Sequence, residues 1–236
     1  MRSLLWKEWH EQRWKLAFGS LILGAFAGVG LHARVIADEN LLEMVCFLAV
    51  LLLSVMSSTG LVPAEREEGT MRMLLALPVR PSLVFSIKML IGVLLCVVPL
   101  IFSALVSIAI AGGREISTAS ILALHARTLA ATLSLYFWML ALTVRLPTEA
   151  RASLIAIGVL IIWMMLTLGL LAGEDWHRPG ILSRLMALDP FVFLAGFPHT
   201  GWVVSLALAA CVQATIALAL CLWAAWQFPK AKEARP

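Results

Sequence analysis

Long apolar runs alternate with short polar links along almost the whole chain. Six runs have the length of a membrane-spanning helix, at residues 16–31, 41–62, 83–111, 121–144, 152–172 and 202–226. A helix of about 20 apolar residues crosses the hydrocarbon layer of a membrane. The pattern therefore predicts an all-α integral membrane protein whose six transmembrane helices form one domain, residues 16–226.

The residues before the first run have a different pattern. On a helical wheel of residues 1–15, Leu5 and Trp9 fall on one side, and Lys7 and Glu8 fall on the other. A helix with one tryptophan-rich apolar face and one charged face is suited to the membrane interface. We therefore expect residues 1–15 to form an interfacial amphipathic helix that precedes the first span.

Basic residues indicate which ends of the spans face the cytoplasm. Six spans place both termini on one side, together with the links at residues 63–80 and 145–151. That side carries twelve of the 18 lysines and arginines, and the other side carries four. By the positive-inside rule we expect a multi-pass protein of the cell (inner) membrane with cytoplasmic termini, including a tail at residues 227–236. The polar and apolar residues at 181–197 predict an external re-entrant or interfacial element between spans 5 and 6.

Composition narrows the class of activity. Hydrophobic residues make up 61% of the chain and charged residues 14%, and the net charge of +4 comes from residues in short links rather than from a nucleic-acid-binding surface. The sequence contains no GxxxxGK[ST] loop, no HExxH motif and no cluster of metal ligands, and its four cysteines lie in apolar runs. We therefore expect no catalytic residue, metal or cofactor in this chain. Energy for directed transport has to come from a partner.

Charged residues are almost absent from the centres of the spans. Lys88, His125 and Arg127 lie near span ends, where long side chains reach the interface. Transporters coupled to protons or ions keep charged residues inside the helix bundle. The sequence therefore argues against that kind of coupling.

The longest polar interruption in the first two-thirds of the chain covers residues 63–80. It begins with a group of charged residues that includes Glu65 and Arg66. Gly69 then permits a reversal of the backbone, and Thr70 is a good N-cap for a new helix. The pattern predicts a break followed by a short helix.

The residues after this break have an apolar face. Met71, Leu74 and Leu75 are spaced at i, i+3 and i+4, and Pro78 ends the helical pattern. Two interpretations of the short helix stay open. It is either a docking surface for a cytoplasmic partner or an interfacial helix that only reconnects two spans.

The pattern of Glu65-Arg66, Gly69-Thr70, Leu74-Leu75 and Pro78-Val79, with Lys88 at the start of the next span, resembles the signature of the type-2 ABC transporter permease family, in its export branch. The order of spans and links is also similar to that of the family. The resemblance implies a coupling helix between spans 2 and 3 that docks on an ATP-binding-cassette subunit. The residues implied in ATPase coupling are Glu65, Arg66, Gly69, Thr70, Met71, Leu74, Leu75 and Pro78.

The resemblance also implies an assembly and a cargo route. Two permease copies or paralogues form a dimer in the membrane lipids, and separate subunits bind ATP and Mg²⁺ and drive cargo outward. Spans 2 and 5 face the dimer axis in this family. The residues implied near a cargo path are Phe47, Val50, Ser54, Ile162, Met165 and Leu168, although ordinary helix packing is an open alternative for each of them.

Two other classes of protein share part of this pattern. Glu67-Glu68-x-x-x-Arg72 matches the EExxxR motif of glutamic intramembrane proteases. Such an enzyme also needs a histidine from an FxxxH motif, and no histidine in this chain follows a phenylalanine by four residues. The other class is a membrane scaffold that transports nothing, which requires the same spans.

Overall fold

A computed structural model describes residues 2–34, 37–70, 74, 79–111, 116–172, 188–194 and 206–228. This part of the chain is 89% helix and contains no strand, so the all-α prediction is confirmed for it. The helices are α1 (Arg2–Ala33), α2 (Asp38–Thr59), α3 (Pro63–Glu67), α4 (Pro81–Ala111), α5 (Thr118–Thr143), α6 (Glu149–Ala172), a 3-10 helix (Pro190–Phe193) and α7 (Leu206–Gln227).

Within the described residues, five helical segments are long and apolar enough to cross a membrane, which supports a multi-pass membrane protein. They are Leu4–Ala33, Asp38–Glu67, Pro81–Ala111, Glu149–Thr167 and Leu208–Gln227. The predicted fourth span, residues 121–144, corresponds to α5, which is not among these five. The six-span arrangement therefore stays a prediction.

Polar residues explain why α5 differs from the other long helices. His125, Thr128, Thr132 and Thr143 are all buried, and each side chain bonds to a backbone carbonyl one turn earlier. Because these groups are satisfied within the helix, their burial carries a small cost. α5 packs against α2, α4, α6, α7 and the 3-10 helix.

The first helix continues through the boundary predicted at residue 15. α1 runs unbroken from the N-terminal charged segment into the first apolar run and packs along α4. Its buried residues include Leu4, Glu8, Gln12, Leu23 and Ala27. Glu8 was expected on the exposed polar face, and that expectation is wrong, because its side chain turns into the bundle. The separation of an interfacial helix from the first span stays a prediction.

The apolar core has two main clusters. One surrounds Tyr136 and includes Leu61, Phe85 and Phe228, so the residue after α7 packs inside the bundle although it lies in the predicted tail. The other lies around Leu135 and includes both Phe191 and Phe193 of the 3-10 helix. The external element predicted between spans 5 and 6 thus has a described part, residues 188–194, that packs onto α5.

Large apolar side chains also cover the outside of the bundle. On α6 they include Leu154, Ile162 and Leu166, which are all more than half exposed. Cys211 lies on the surface of α7, whereas Cys46 and Cys96 are buried as small apolar residues. Exposed apolar faces of this extent are typical of surfaces in contact with lipid or with a partner subunit.

Candidate functional site

Several parts of the chain that are far apart in sequence meet at one end of the bundle. The start of α1 contacts α3 there, and the Arg66 guanidinium donates hydrogen bonds to the carbonyls of Val144 and Leu146 in the link after α5. Arg145 in that link donates to Oε1 of Gln227, at the end of α7. The distribution of lysine and arginine predicted that these segments lie on one side of the membrane. In the structure they lie together at one end of the bundle.

A group of charged side chains lies inside this end, and we call Lys7, Glu8, Glu65, Thr70 and Lys88 the charge cluster. The Lys88 ammonium is 2.7 Å from Oε1 of Glu8 and 2.9 Å from Oε1 of Glu65. The Lys7 ammonium is 2.7 Å from the same oxygen of Glu65. Thr70 donates its hydroxyl proton to the other carboxylate oxygen of Glu65. One carboxylate therefore collects three donors from three parts of the chain.

The centre of the charge cluster is closed to solvent. The side chains of Glu8, Glu65 and Lys88 are 1%, 5% and 2% exposed, whereas that of Lys7 is 34% exposed. A charge in this environment is tolerated only when it is paired and hydrogen-bonded. The expectation that Lys88 snorkels toward the interface is wrong. Its ammonium points inward because two carboxylates from other helices bind it.

Short-range sequence features hold Glu65 in place. Pro63 begins α3, where a missing N–H costs nothing. Nε2 of Gln12, on α1, donates to the carbonyl of Gly60. This bond attaches the turn that precedes α3 to α1. Gly69 adopts φ +73°, the left-handed conformation that suits glycine, and this turn brings Thr70 back onto Glu65. The predicted reversal at Gly69 is thus present, while Thr70 bonds to α3.

The outer edge of α3 differs from its inner edge. Glu67, Glu68 and Gly69 are exposed, whereas Glu65 is buried. Oε2 of Glu67 accepts the backbone N–H of Glu149 at 2.8 Å, so even this exposed carboxylate caps the start of α6. The exposed residues at this edge are therefore Gly69, which belongs to the sequence motif, and two glutamates that adjoin the motif.

The predicted coupling residues after the turn are described only in part. Leu74 is buried in the core cluster around Tyr136, so it packs within this chain rather than on an exposed face. Met71, Leu75 and Pro78 lie outside the described residues.

The residues predicted along a cargo path fall into two groups. Val50 and Ser54 are fully buried in the bundle, and Phe47, which is partly exposed, lies 6.4 Å from the ring of Phe191. Ile162 and Met165 are exposed on the outer surface of α6. The structure does not bring the two groups onto one surface of this chain. The helix position of Leu168 is described, but its side chain is not.

The carboxylates of the charge cluster already bind cationic side chains. Carboxylate oxygens of Glu8, Glu11 and Glu65 lie within 4.8 Å of one another, which is close enough for a shared cation. The ammonium groups of Lys7 and Lys88 already bind these carboxylates, so they supply the positive charge that a metal ion would bring. The arrangement joins helices electrostatically.

The protease motif is described at its two glutamates, because Arg72 lies outside the described residues. Glu67 and Glu68 are both exposed, whereas a glutamate that activates water for an intramembrane protease is enclosed. His125, the buried histidine of the described part, contacts Ser103 and the Ile121 carbonyl. Neither of its ring nitrogens faces a carboxylate in these contacts.

No protein-family model matches the chain, and no curated protein matches it in sequence. The resemblance of the segment after α2 to a permease signature therefore stands on the residues of that segment and on the arrangement of helices around it.

Residues that the sequence did not assign to the site contribute much of it. Glu8, Gln12 and Gln227 all make buried contacts at this end of the bundle. A signal for two of them was present, because Leu4, Glu8 and Gln12 repeat every four residues and so share a face of α1. Gln227 is the last residue of an apolar helix, and nothing in its sequence position indicates its contact with Arg145.

Proposed function

We propose that this chain is the membrane-spanning subunit of an ATP-driven exporter of the type-2 ABC permease family. In this proposal a separate ATP-binding-cassette subunit binds ATP and Mg²⁺, and the segment that begins with α3 is the coupling segment. The observation that carries the proposal is the two-sided character of α3. Its outer edge is exposed, and its inner edge is bonded to several helices.

An element that passes motion between subunits needs both of these properties. Exposed Glu68, next to the turn at Gly69, offers a polar contact to a partner without first being released from the bundle, whereas the carboxylate of Glu67 already accepts the backbone N–H of Glu149. Glu65 and Arg66 hold the same short helix to α1, to α4 and to the link after α5. A displacement of the outer edge therefore reaches at least three other elements through bonds on the inner edge.

The rest of the assembly follows from the same proposal. Two copies of the chain, or the chain and a paralogue, form a dimer, and the exposed apolar faces of α6 and α7 provide surface for lipid and for that second copy. The excess of lysine and arginine on one side supports a cytoplasmic location for α3 and for both termini in the inner membrane. Cargo then moves outward along a route between the two copies.

The test is to co-express the full chain with ATP-binding-cassette proteins of the same genome, beginning with any that is encoded beside it. We expect the two to co-purify, and we expect the chain to change the ATPase rate of its partner at least several-fold. Reversing the exposed charge of Glu68, as Glu68→Lys, should weaken co-purification. Arg151→Glu, at an exposed position in the first turn of α6, is a control for charge reversal, and it should leave co-purification unchanged.

Two outcomes contradict the proposal. If no ATP-binding-cassette protein binds the chain, the assignment to the family is wrong. If one binds but its ATPase rate does not respond, the chain acts as a membrane scaffold. Single substitutions of Glu65, Arg66 or Glu67 are unsuitable for this test, because each side chain bonds within the chain and its replacement alone leaves a bonding partner in the fold unpaired.

A further inference from the structure

We propose that Lys88 is the joint through which a displacement of α3 moves α1 and α4 as one unit. This inference rests on the proposed function, because it takes α3 to be the element that a partner displaces. Lys88 belongs to α4, and its ammonium binds Glu8 of α1 and Glu65 of α3 at 2.7 and 2.9 Å. Three helices therefore meet at a single nitrogen atom.

Burial makes this contact durable. The Lys88 ammonium has no access to water that could replace either carboxylate, because its side chain is 2% exposed. Opening either bond leaves a charge unpaired in a medium of low polarity, which is costly. The exposed ion pair between Lys15 and Glu149 is different, since its side chains are 31% and 40% exposed and water competes for both. We therefore expect a displacement of α3 to be transmitted through the buried contacts of Lys88 rather than through the exposed pair of Lys15 and Glu149.

The packing of the helices determines what then moves. α1 packs along α4 more extensively than any other two helices of the described bundle pack together, and α2 packs along α5. Glu65 ties α3 to the α1–α4 pair, while the next residue, Arg66, bonds to Val144 and Leu146 at the end of α5. Two adjacent residues of α3 thus hold the two pairs of helices. A tilt of α3 changes the position of one pair relative to the other.

The experiment measures that relative position directly. Spin labels are attached at Val29→Cys on α1 and Leu122→Cys on α5, which are both exposed, after Cys211 and Cys221 have been replaced by alanine. The labelled chain is reconstituted with its ATP-binding partner. The distance between the labels is measured by pulsed electron paramagnetic resonance without nucleotide and in the ATP–vanadate state. We expect the distance distribution of the otherwise unaltered chain to shift between the two states.

The decisive variant removes the buried charges together. Glu8→Gln, Glu65→Gln and Lys88→Met leave no unpaired charge in the core, while Lys7 keeps its contact with Glu11. We expect this triple variant to fold and to bind its partner, and to lose at least half of the nucleotide-dependent shift. Lys88→Arg keeps a cation between the two carboxylates and should retain most of the shift.

If Lys88 has only a structural role, we expect a different result. If the triple variant folds, binds its partner and shows the full shift, Lys88 is not the joint, although the proposed function stands. If the unaltered chain binds an ATPase and shows no shift, the inference is wrong in a different way, because the α1–α4 pair does not move. If no ATPase binds, the proposed function fails and the inference fails with it. Lys15→Met, which removes an exposed lysine contact, should leave the shift unchanged.

Discussion

Lys88 and Glu8 meet at 2.7 Å although 80 residues separate them in the chain. Their contact lies in the interior, and neither side chain is more than 2% exposed. It joins the first helix to the fourth near the point where the turn after α2 crosses both. An ion pair between distant elements specifies how those elements align, because a shift of either helix by one turn separates the charges.

The first prediction concerns the cost of opening this contact. Lys88→Met leaves Glu8 and Glu65 in the core without the cation that they share, so we expect a loss of about 3–5 kcal/mol in the free energy of unfolding. Glu8→Gln in the same chain removes the carboxylate that is left without a cation, since Glu65 keeps its contact with Lys7, and should recover part of the loss. Unfolding in mixed detergent micelles, followed by circular dichroism, measures these differences.

A matched lysine supplies the control for this prediction. Lys15→Met breaks an exposed ion pair with Glu149 and should cost at most about 1 kcal/mol. Equal losses for the two lysine variants would mean that burial of Lys88 has no energetic consequence, contrary to the argument made for it.

The second prediction concerns the turn that returns Thr70 to the charge cluster. Gly69 has φ +73°, and a Cβ at this position meets no atom within 4 Å, so the backbone conformation alone opposes a side chain. Gly69→Ala should cost about 1–2 kcal/mol of stability. Gly158→Ala, at an open position inside α6, should instead stabilise by about 0.5–1 kcal/mol. A Gly69→Ala protein as stable as the unaltered chain would contradict this account of the turn.

The helical architecture was largely accessible from the sequence. The apolar runs predicted the long helices, since backbone groups in lipid have to bond within the helix and this leaves a long apolar signature. Gly69 marked the turn after α3 through local backbone chemistry, which needs no knowledge of distant contacts.

The partners of the buried charges were much less accessible. Glu8 and Lys88 looked like residues at a membrane interface, because sequence position near the end of an apolar run suits a snorkelling side chain as well as a buried one. The choice between these outcomes depends on which helix lies alongside, and α4 was not predicted to pack against α1. Glu65 was likewise expected to contact a partner subunit, because the resemblance to a permease signature placed it in the coupling segment.

The third prediction concerns the close approach of α4 and α5. A Cβ at Gly92 would overlap the hydroxyl group of Tyr136 and lie 2.7 Å from Cδ1 of Leu61. Gly92→Ala should therefore destabilise the protein by about 1–3 kcal/mol. Tyr136→Phe removes the hydroxyl group that donates to the Met89 carbonyl, so the double variant should lose less stability than the two single losses combined. Additive losses in this double-mutant cycle would show that the alanine does not meet Tyr136.

The last prediction concerns Asp189, at the start of the 3-10 helix. Its carboxylate accepts the backbone N–H of Phe191 at 2.9 Å and the hydroxyl proton of Thr167. Burial raises the pKa of Asp189 above its ordinary value, although both hydrogen bonds act in the opposite direction. The folded protein therefore holds this proton more tightly than the unfolded chain does, so the contribution of Asp189 to stability is largest at low pH and is lost as the pH rises through the raised pKa.

Asp189→Asn tests this sign, because asparagine keeps a cap for the 3-10 helix and cannot ionise. We expect the difference in stability between the unaltered protein and the Asp189→Asn variant to change across the interval from the ordinary aspartate pKa to the raised one. Toward the acid end of this interval, the free energy of unfolding of the unaltered protein rises relative to that of the variant. Thr167→Val, which removes one hydrogen bond to the ionised form, should raise the pKa further and move the upper limit of the interval to higher pH. A difference that shrinks as the pH falls through this interval would reverse the sign assigned to Asp189.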